Sequence, residues 1–179
     1  NPVKIFEHLL GEWALRFLIL TLLISPIRDL FGINWVRYRR ALGLLAFWYV
    51  AMHFLAYMVL DKRLALDVIV EDVFKRWFIT IGMAAFILLI PLALTSNRWS
   101  IRRLGPDWTK LHRLIYPIAA AGVLHYCLSV KVIGPEQLIY AALVTLLVGW
   151  RLVRPRYMEW KRAAQTVGAK VSRPRRQAE

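Results

Sequence analysis

The chain has 179 residues, 59% of them hydrophobic and 20% charged, and a net charge of +14. A soluble domain carries about 45–50% apolar residues, disordered chains lack them, and the single cysteine, Cys127, excludes a disulfide scaffold. A mean hydropathy of +0.47 points to a bilayer as solvent, and a pI near 10.6 to nucleic acid or an anionic membrane face.

Five apolar runs reach the roughly 17–25 residues that a bilayer core requires. The first is Leu9–Ile27, interrupted by Glu12 and Arg16, an i,i+4 pair able to neutralise itself on one helix face. Ala41–Leu60 and Trp77–Leu94 contain no Asp, Glu, Lys or Arg. Leu114–Val130 is equally charge-free but carries His125, and the last run extends from Pro135 to Val153 with no charge between Glu136 and Arg151. Runs this long and continuous are not period-2 strands, and lipid forbids open sheet edges. The predicted fold class is therefore an all-α, polytopic transmembrane helix bundle of five spans over residues 1–153, with a basic tail over 154–179. Neither an initiator Met nor a signal peptide is visible, which predicts a segment before Asn1.

The charges sort by loop. The loops between the first and second runs and between the third and fourth runs, together with the tail, hold 18 basic and 4 acidic groups. The opposite side holds seven of each. By the positive-inside rule the basic segments, and with them the C-terminus, are cytoplasmic. A basic membrane-proximal face on anionic lipid explains the whole excess, and no basic groove interleaved with aromatics suggests nucleic acid. Trp77, Trp99, Trp108, Trp150 and Trp160 fall near helix ends, as interfacial anchors do.

Polar groups at membrane depth are the functional candidates. His53 lies 13 residues beyond Arg40 and His125 lies 12 beyond Arg113, on two runs that leave the basic face in the same direction. At 1.5 Å per residue both sit about 18–20 Å from that face. Two imidazoles at one depth, without carboxylate or Cys partners, suit a haem iron better than zinc or a di-iron centre. Ala119, Ala120, Ala121 and Gly122 offer a small-residue slot, and Phe47, Trp48, Tyr49, Phe54 and Tyr57 flank His53. The competing reading is that each histidine merely makes an interhelical hydrogen bond.

His112 precedes His125 by 13 residues, a spacing that suits a second haem about 19.5 Å lower, although an ideal helix sets the two about 140° apart. Pro117 can alter that phase. The second run offers Tyr38, Arg39 and Arg40 at the matching depth and no histidine, so His112 is equally readable as a solvated interfacial residue or a flavin or quinone contact. His8 opens the first run close to water and reads as interfacial.

The segments NPVKIFEHLLGEWALRFLILTLLISP (1–26), RRALGLLAFWYVAMHFLAY (39–57) and LHRLIYPIAAAGVLHYCLSVK (111–131) resemble the haem-binding membrane subunits of the periplasmic protein-methionine-sulfoxide reductase system, the MsrQ family. That family belongs to the ferric-reductase-like transmembrane superfamily. The resemblance implies a six-helix bacterial inner-membrane protein with haem b and FMN. It implies electrons drawn from the quinone pool or a cytosolic flavin reductase and passed to a periplasmic molybdenum-dependent methionine sulfoxide reductase. It carries haem iron ligation over to His53 and His125, and a further cofactor or second-haem contact to His112. No Gly-rich phosphate loop marks an FMN site. The expectation is an electron-delivery subunit with no substrate chemistry of its own. The alternatives are a ferric or cupric reductase with an acidic outer loop (Asp61, Asp67, Glu71, Asp72) and a non-redox membrane scaffold.

Overall fold

A computed structural model describes residues 2–171, with side chains described to residue 165. The described residues are helical throughout apart from short connections, and none forms a strand. Helix α1 spans Pro2–Phe31, and a 3-10 turn at Val36–Tyr38 leads into α2, Arg39–Ala56. The last turn of that span widens into a π-helical segment, Tyr57–Asp61. A short helix α3, Leu66–Lys75, precedes α4, Trp77–Leu94. Two brief helices, α5 (Arg98–Leu104) and α6 (Pro106–His112), lead to α7, Ile115–Ser129. Helix α8 covers Pro135–Val171. The described residues divide into two compact units, one running to Leu147 and the other starting at Val148. Within the second, Tyr157 packs between Trp150 and Trp160. Of the basic tail, Lys170, Arg173, Arg175 and Arg176 lie outside the described side chains.

Four helices are long and apolar enough to cross a bilayer: Pro2–Phe31, Val36–Asp61, Trp77–Leu94 and Pro135–Gln165. Their apolar side chains largely face outward. In the window of Trp77–Leu94 only 17% of residues are buried, although its mean hydropathy is 2.4. In water such a surface would cost about 25 cal/mol per Å², whereas against lipid it costs nothing. The fifth apolar run folds as α7, only 15 residues long. Pro117 has no N–H to give to Arg113, and the carbonyl of Arg113 instead accepts the tighter i+3 bond from Tyr116 at 3.2 Å. Arg113 and Leu114 make the same kind of bond to Lys110 and Leu111, both 3.1 Å. This tightened turn separates α6 from α7 and removes the single-helix phase relation between His112 and His125.

In the first unit α1 packs on α2, α2 on α4, α4 on α7, and α7 back on α1. These four helices thus close a ring. Leu15, Leu18 and Leu22 bury one stripe of α1, while Leu89 and Leu92 of α4 meet Ile118 of α7. At the α4–α5 junction Asn97 caps α5, its Oδ1 accepting from Ser100 N at 2.8 Å, and its Nδ2 donates to Leu94 O at 2.8 Å. Asn97→Ala removes both bonds, and thermal unfolding in detergent is expected to register a loss of about 1 kcal/mol.

Candidate functional site

Helix α2 directs His53, and α7 directs His125, into the space the ring encloses. Their ring centres are 6.1 Å apart and their planes cross at 82°. His53 Nδ1 lies 2.8 Å from the carbonyl oxygen of Glu7 on α1, and His125 Nδ1 lies 2.6 Å from that of Phe78 on α4. A carbonyl only accepts, so each Nδ1 carries the proton and donates it, leaving Nε2 as the lone-pair nitrogen in both rings. This is the tautomer that leaves Nε2 available to a metal, fixed by a backbone partner.

Sequence reasoning missed what lets the rings reach those carbonyls. One turn beyond Glu7 stands Gly11, and one turn beyond Phe78 stands Gly82. A Cβ on Gly11 would lie 3.3 Å from the His53 ring, and a Cβ on Gly82 only 2.6 Å from His125 Nδ1. The bare backbone admits each imidazole to the second lone pair of a helical carbonyl. The device occurs twice at nearly equal spacing: carbonyl and histidine are 46 residues apart in one half and 47 in the other. That near-repeat, Glu7–Gly11–His53 and Phe78–Gly82–His125, was the available signal.

The cavity between the four helices measures about 390 Å³. Its polarity runs in one direction. Along α1 the lining changes from Lys4, Glu7 and His8 through Gly11 and Glu12 to Ala14, Leu15 and Leu18. Along α7 it changes in the same sense, from Ser129 and Tyr126 through His125 to Gly122 and Ile118. Among the small residues at the apolar end are Ala14, Ala46, Ala85 and Gly122. Of the predicted Ala119–Gly122 slot only Gly122 lines the cavity, while Ala119 is buried and Ala120 exposed. Phe54 and Tyr57 line it from the predicted aromatic group, whereas Trp48 is exposed and Tyr49 packs on Phe17.

The polar end is tied by ion pairs. Lys4 meets Glu7 at 3.1 Å and Asp61 at 2.9 Å, while Asp72 binds Lys62 at 2.5 Å and Arg76 at 3.1 Å and accepts from Tyr57 Oη at 3.1 Å. Burial pushes the Asp72 carboxyl up, but the Lys62 and Tyr57 hydrogen bonds and the charges of Lys62 and Arg76 outweigh it and hold the group below the usual carboxylate range. Glu71 pairs with Lys75. Three of the four acids of the α3 region are therefore engaged by cations. Deeper in, Glu12 accepts from Arg16 at 3.1 Å, as the spacing predicted, and Arg16 Nε also donates to Tyr140 Oη at 2.7 Å.

His112 is not brought to this site. Its ring stacks on Trp108 at 3.8 Å between centres, its Nδ1 donates to Trp108 O at 3.1 Å, and its Nε2 lies 3.5 Å from Ser96 Oγ. Burial holds its pKa below the ordinary histidine value despite the hydrogen bond to Trp108 O. Trp108 in turn donates Nε1 to Thr95 O at 2.9 Å, which gives this tryptophan a bracing role beyond interfacial anchoring. His8 lines the polar end of the cavity.

The donor set decides which metal species fits. A metal held on a straight line between two imidazole nitrogens at about 2.0–2.1 Å each, with about 1.1 Å from nitrogen to ring centre, would put the ring centres about 6.2–6.4 Å apart. The observed 6.1 Å is nearly that. Among the described residues no group of three or more His, Cys, Asp or Glu could hold a bare ion. Two imidazole nitrogens with no third donor beside them, in a cavity apolar at one end and charged at the other, would fit a metal whose remaining ligands come from a macrocycle.

Comparison with known proteins places the chain in a family. Residues 10–123 match the family described as ferric reductase like transmembrane component. The chain is 70% identical over 162 residues, 90% of its length, to the protein-methionine-sulfoxide reductase heme-binding subunit MsrQ of Rhizobium meliloti, covering 75% of that protein. The chain belongs to the MsrQ family. It is also 56% identical over 178 residues to the MsrQ subunit of Brucella anthropi, covering 99% of this chain and 77% of that one, and 59% identical over 164 residues to that of Brucella ovis, covering 92% and 74%. No solved structure matches the chain. These relatives are named as haem-binding subunits of a protein-methionine-sulfoxide reductase, and this chain shares with the family the helices long and apolar enough to span a membrane.

Proposed function

We propose that the chain is a haem-b electron carrier whose iron is held axially by His53 and His125. Electrons enter from the quinone pool or a cytosolic flavin reductase and leave for a molybdenum-dependent methionine sulfoxide reductase outside the inner membrane. The basic loops and the C-terminus lie on the cytoplasmic side. The observation that carries the reading is the crossed imidazole pair, 6.1 Å apart, with each Nδ1 committed to a backbone carbonyl. When bound, the haem supplies one-electron chemistry with both axial positions filled, which suits electron transfer over oxygen binding. The protein's residues fix the tautomers, exclude water from the apolar end and place the polar end at the surface. The acids of the α3 region are largely paired with cations, which weakens the case for metal-ion reduction there.

Optical and EPR spectra of the purified full chain, supplied with haem, test the proposal. A reduced b-type α-band is expected, and its absence would sink the haem reading. The 82° between ring planes predicts more. Each imidazole donates π density into the iron d orbital normal to its plane, so crossed rings raise two orbitals equally and leave them nearly degenerate. The oxidised protein should therefore give a strongly anisotropic low-spin EPR signal. A signal with the small g-spread of parallel rings would contradict the pair geometry.

A further inference from the structure

The cavity is polarised, and its polar end carries more cationic hydrogen-bonding capacity than its acids use. Lys4, Lys62 and Arg76 line that end from α1, from the turn after the π-helical segment and from the start of α4. Each is held in place by acids: Lys4 by Glu7 and Asp61, Lys62 by Asp72 at 2.5 Å with Asp61 more distant at 3.7 Å, and Arg76 by Asp72 through Nε. A lysine offers three donors and an arginine five. Lys4 and Arg76 also remain accessible, their side chains 44% and 55% exposed. At the opposite end the lining is Ala14, Leu18, Ala46, Ala85, Leu89 and Ile118, with no charge. The histidines sit between the two zones.

Such a cavity admits an amphiphile in one orientation only. A tetrapyrrole with two carboxylates on one edge would place that edge against the cations and its apolar edge among the alanines. We infer that Lys4, Lys62 and Arg76 form a carboxylate subsite that receives the two propionate groups of the haem, so that the carboxylate edge faces the α3 end of the bundle. This inference rests on the haem reading above. Carboxylates there gain charge-assisted hydrogen bonds while staying partly hydrated, and the reverse orientation would put two anions into uncharged lining. Glu7, Asp61 and Asp72 act as positioning residues that hold the cations at the mouth before the ligand arrives.

The test is a cycle between ligand and protein, using the full chain in detergent and Soret titration of the haem-free form. The probes are haem b and its dimethyl ester, which keeps the macrocycle and iron but lacks the carboxylate charges. The unsubstituted chain should bind the ester about tenfold more weakly than the free acid. Lys4→Gln and Arg76→Gln should each weaken binding of the acid severalfold, leave ester affinity unchanged and retain the low-spin spectrum. Because Lys4 also supports Glu7 and Asp61, and the more exposed Arg76 supports Asp72, the ester comparison, which needs no substitution at all, separates loss of the subsite from loss of folding. Equal affinity for acid and ester, or variants that weaken both alike, overturns the subsite. Failure of the unsubstituted chain to bind either probe overturns the haem reading and the subsite with it.

Discussion

His53→Ala and His125→Ala are each expected to abolish the low-spin b-type spectrum, with haem content falling by at least about tenfold. Each substitution removes one of the two imidazoles whose ring centres lie 6.1 Å apart in the cavity. The remaining histidine of the lining, His8, stands at the polar end, and Glu12 is engaged by Arg16. His112→Ala is the control. That ring is held by Trp108 and Ser96 at the far end of α6, so the spectrum of the paired site should survive its loss. Reduced-minus-oxidised spectra with pyridine haemochrome quantification read all three variants. Retention of the low-spin spectrum in both single variants would remove the ligand assignment.

Gly82→Ala is expected to be the most damaging change that touches no donor atom. A methyl group at this position would stand 2.6 Å from His125 Nδ1 and 2.8 Å from Cε1, and no real contact is that short. Either α4 moves off α7 or the ring swings away, and both break the 2.6 Å bond to Phe78 O that fixes the tautomer. Losing such a support costs about 10–100-fold in metal affinity, and overpacking adds about 1–3 kcal/mol of instability. Gly11→Ala meets His53 at 3.3 Å, a contact the neighbour can absorb by shifting slightly. The expected order in haem dissociation rate is Gly82→Ala, then Gly11→Ala, then the unsubstituted chain. The same rate for both variants would mean that the two histidines are not held by equivalent notches.

The pairing of His53 with His125 was legible because depth in a bilayer is set by residue count from a charged boundary. Arg40 and Arg113 mark that boundary, and the loop charges give both runs one direction. The phase of His112 was not legible. It depended on how the chain would absorb Pro117, and the three i+3 bonds at Arg113, Leu114 and Tyr116 are one of several solutions open to a proline near a helix start. The acidic α3 region was misleading for a related reason. Counting acids and bases gives a balance, while the folded chain brings Lys4 from α1 across to Asp61 and joins Lys62 and Arg76 at Asp72.

By itself the sequence determined that the chain is helical, that it lies in a membrane, and that two imidazoles reach one depth. Those properties follow from local composition and from a rise per residue that does not depend on neighbours. Only the tertiary structure decided which groups orient the rings. A helical carbonyl becomes an acceptor for a side chain on another helix only where a glycine one turn later lets the two axes approach, and that distance belongs to the packing of α1 on α2 and α4 on α7. The same packing gathered three cations from three separate segments at one end of the cavity and left its other end apolar.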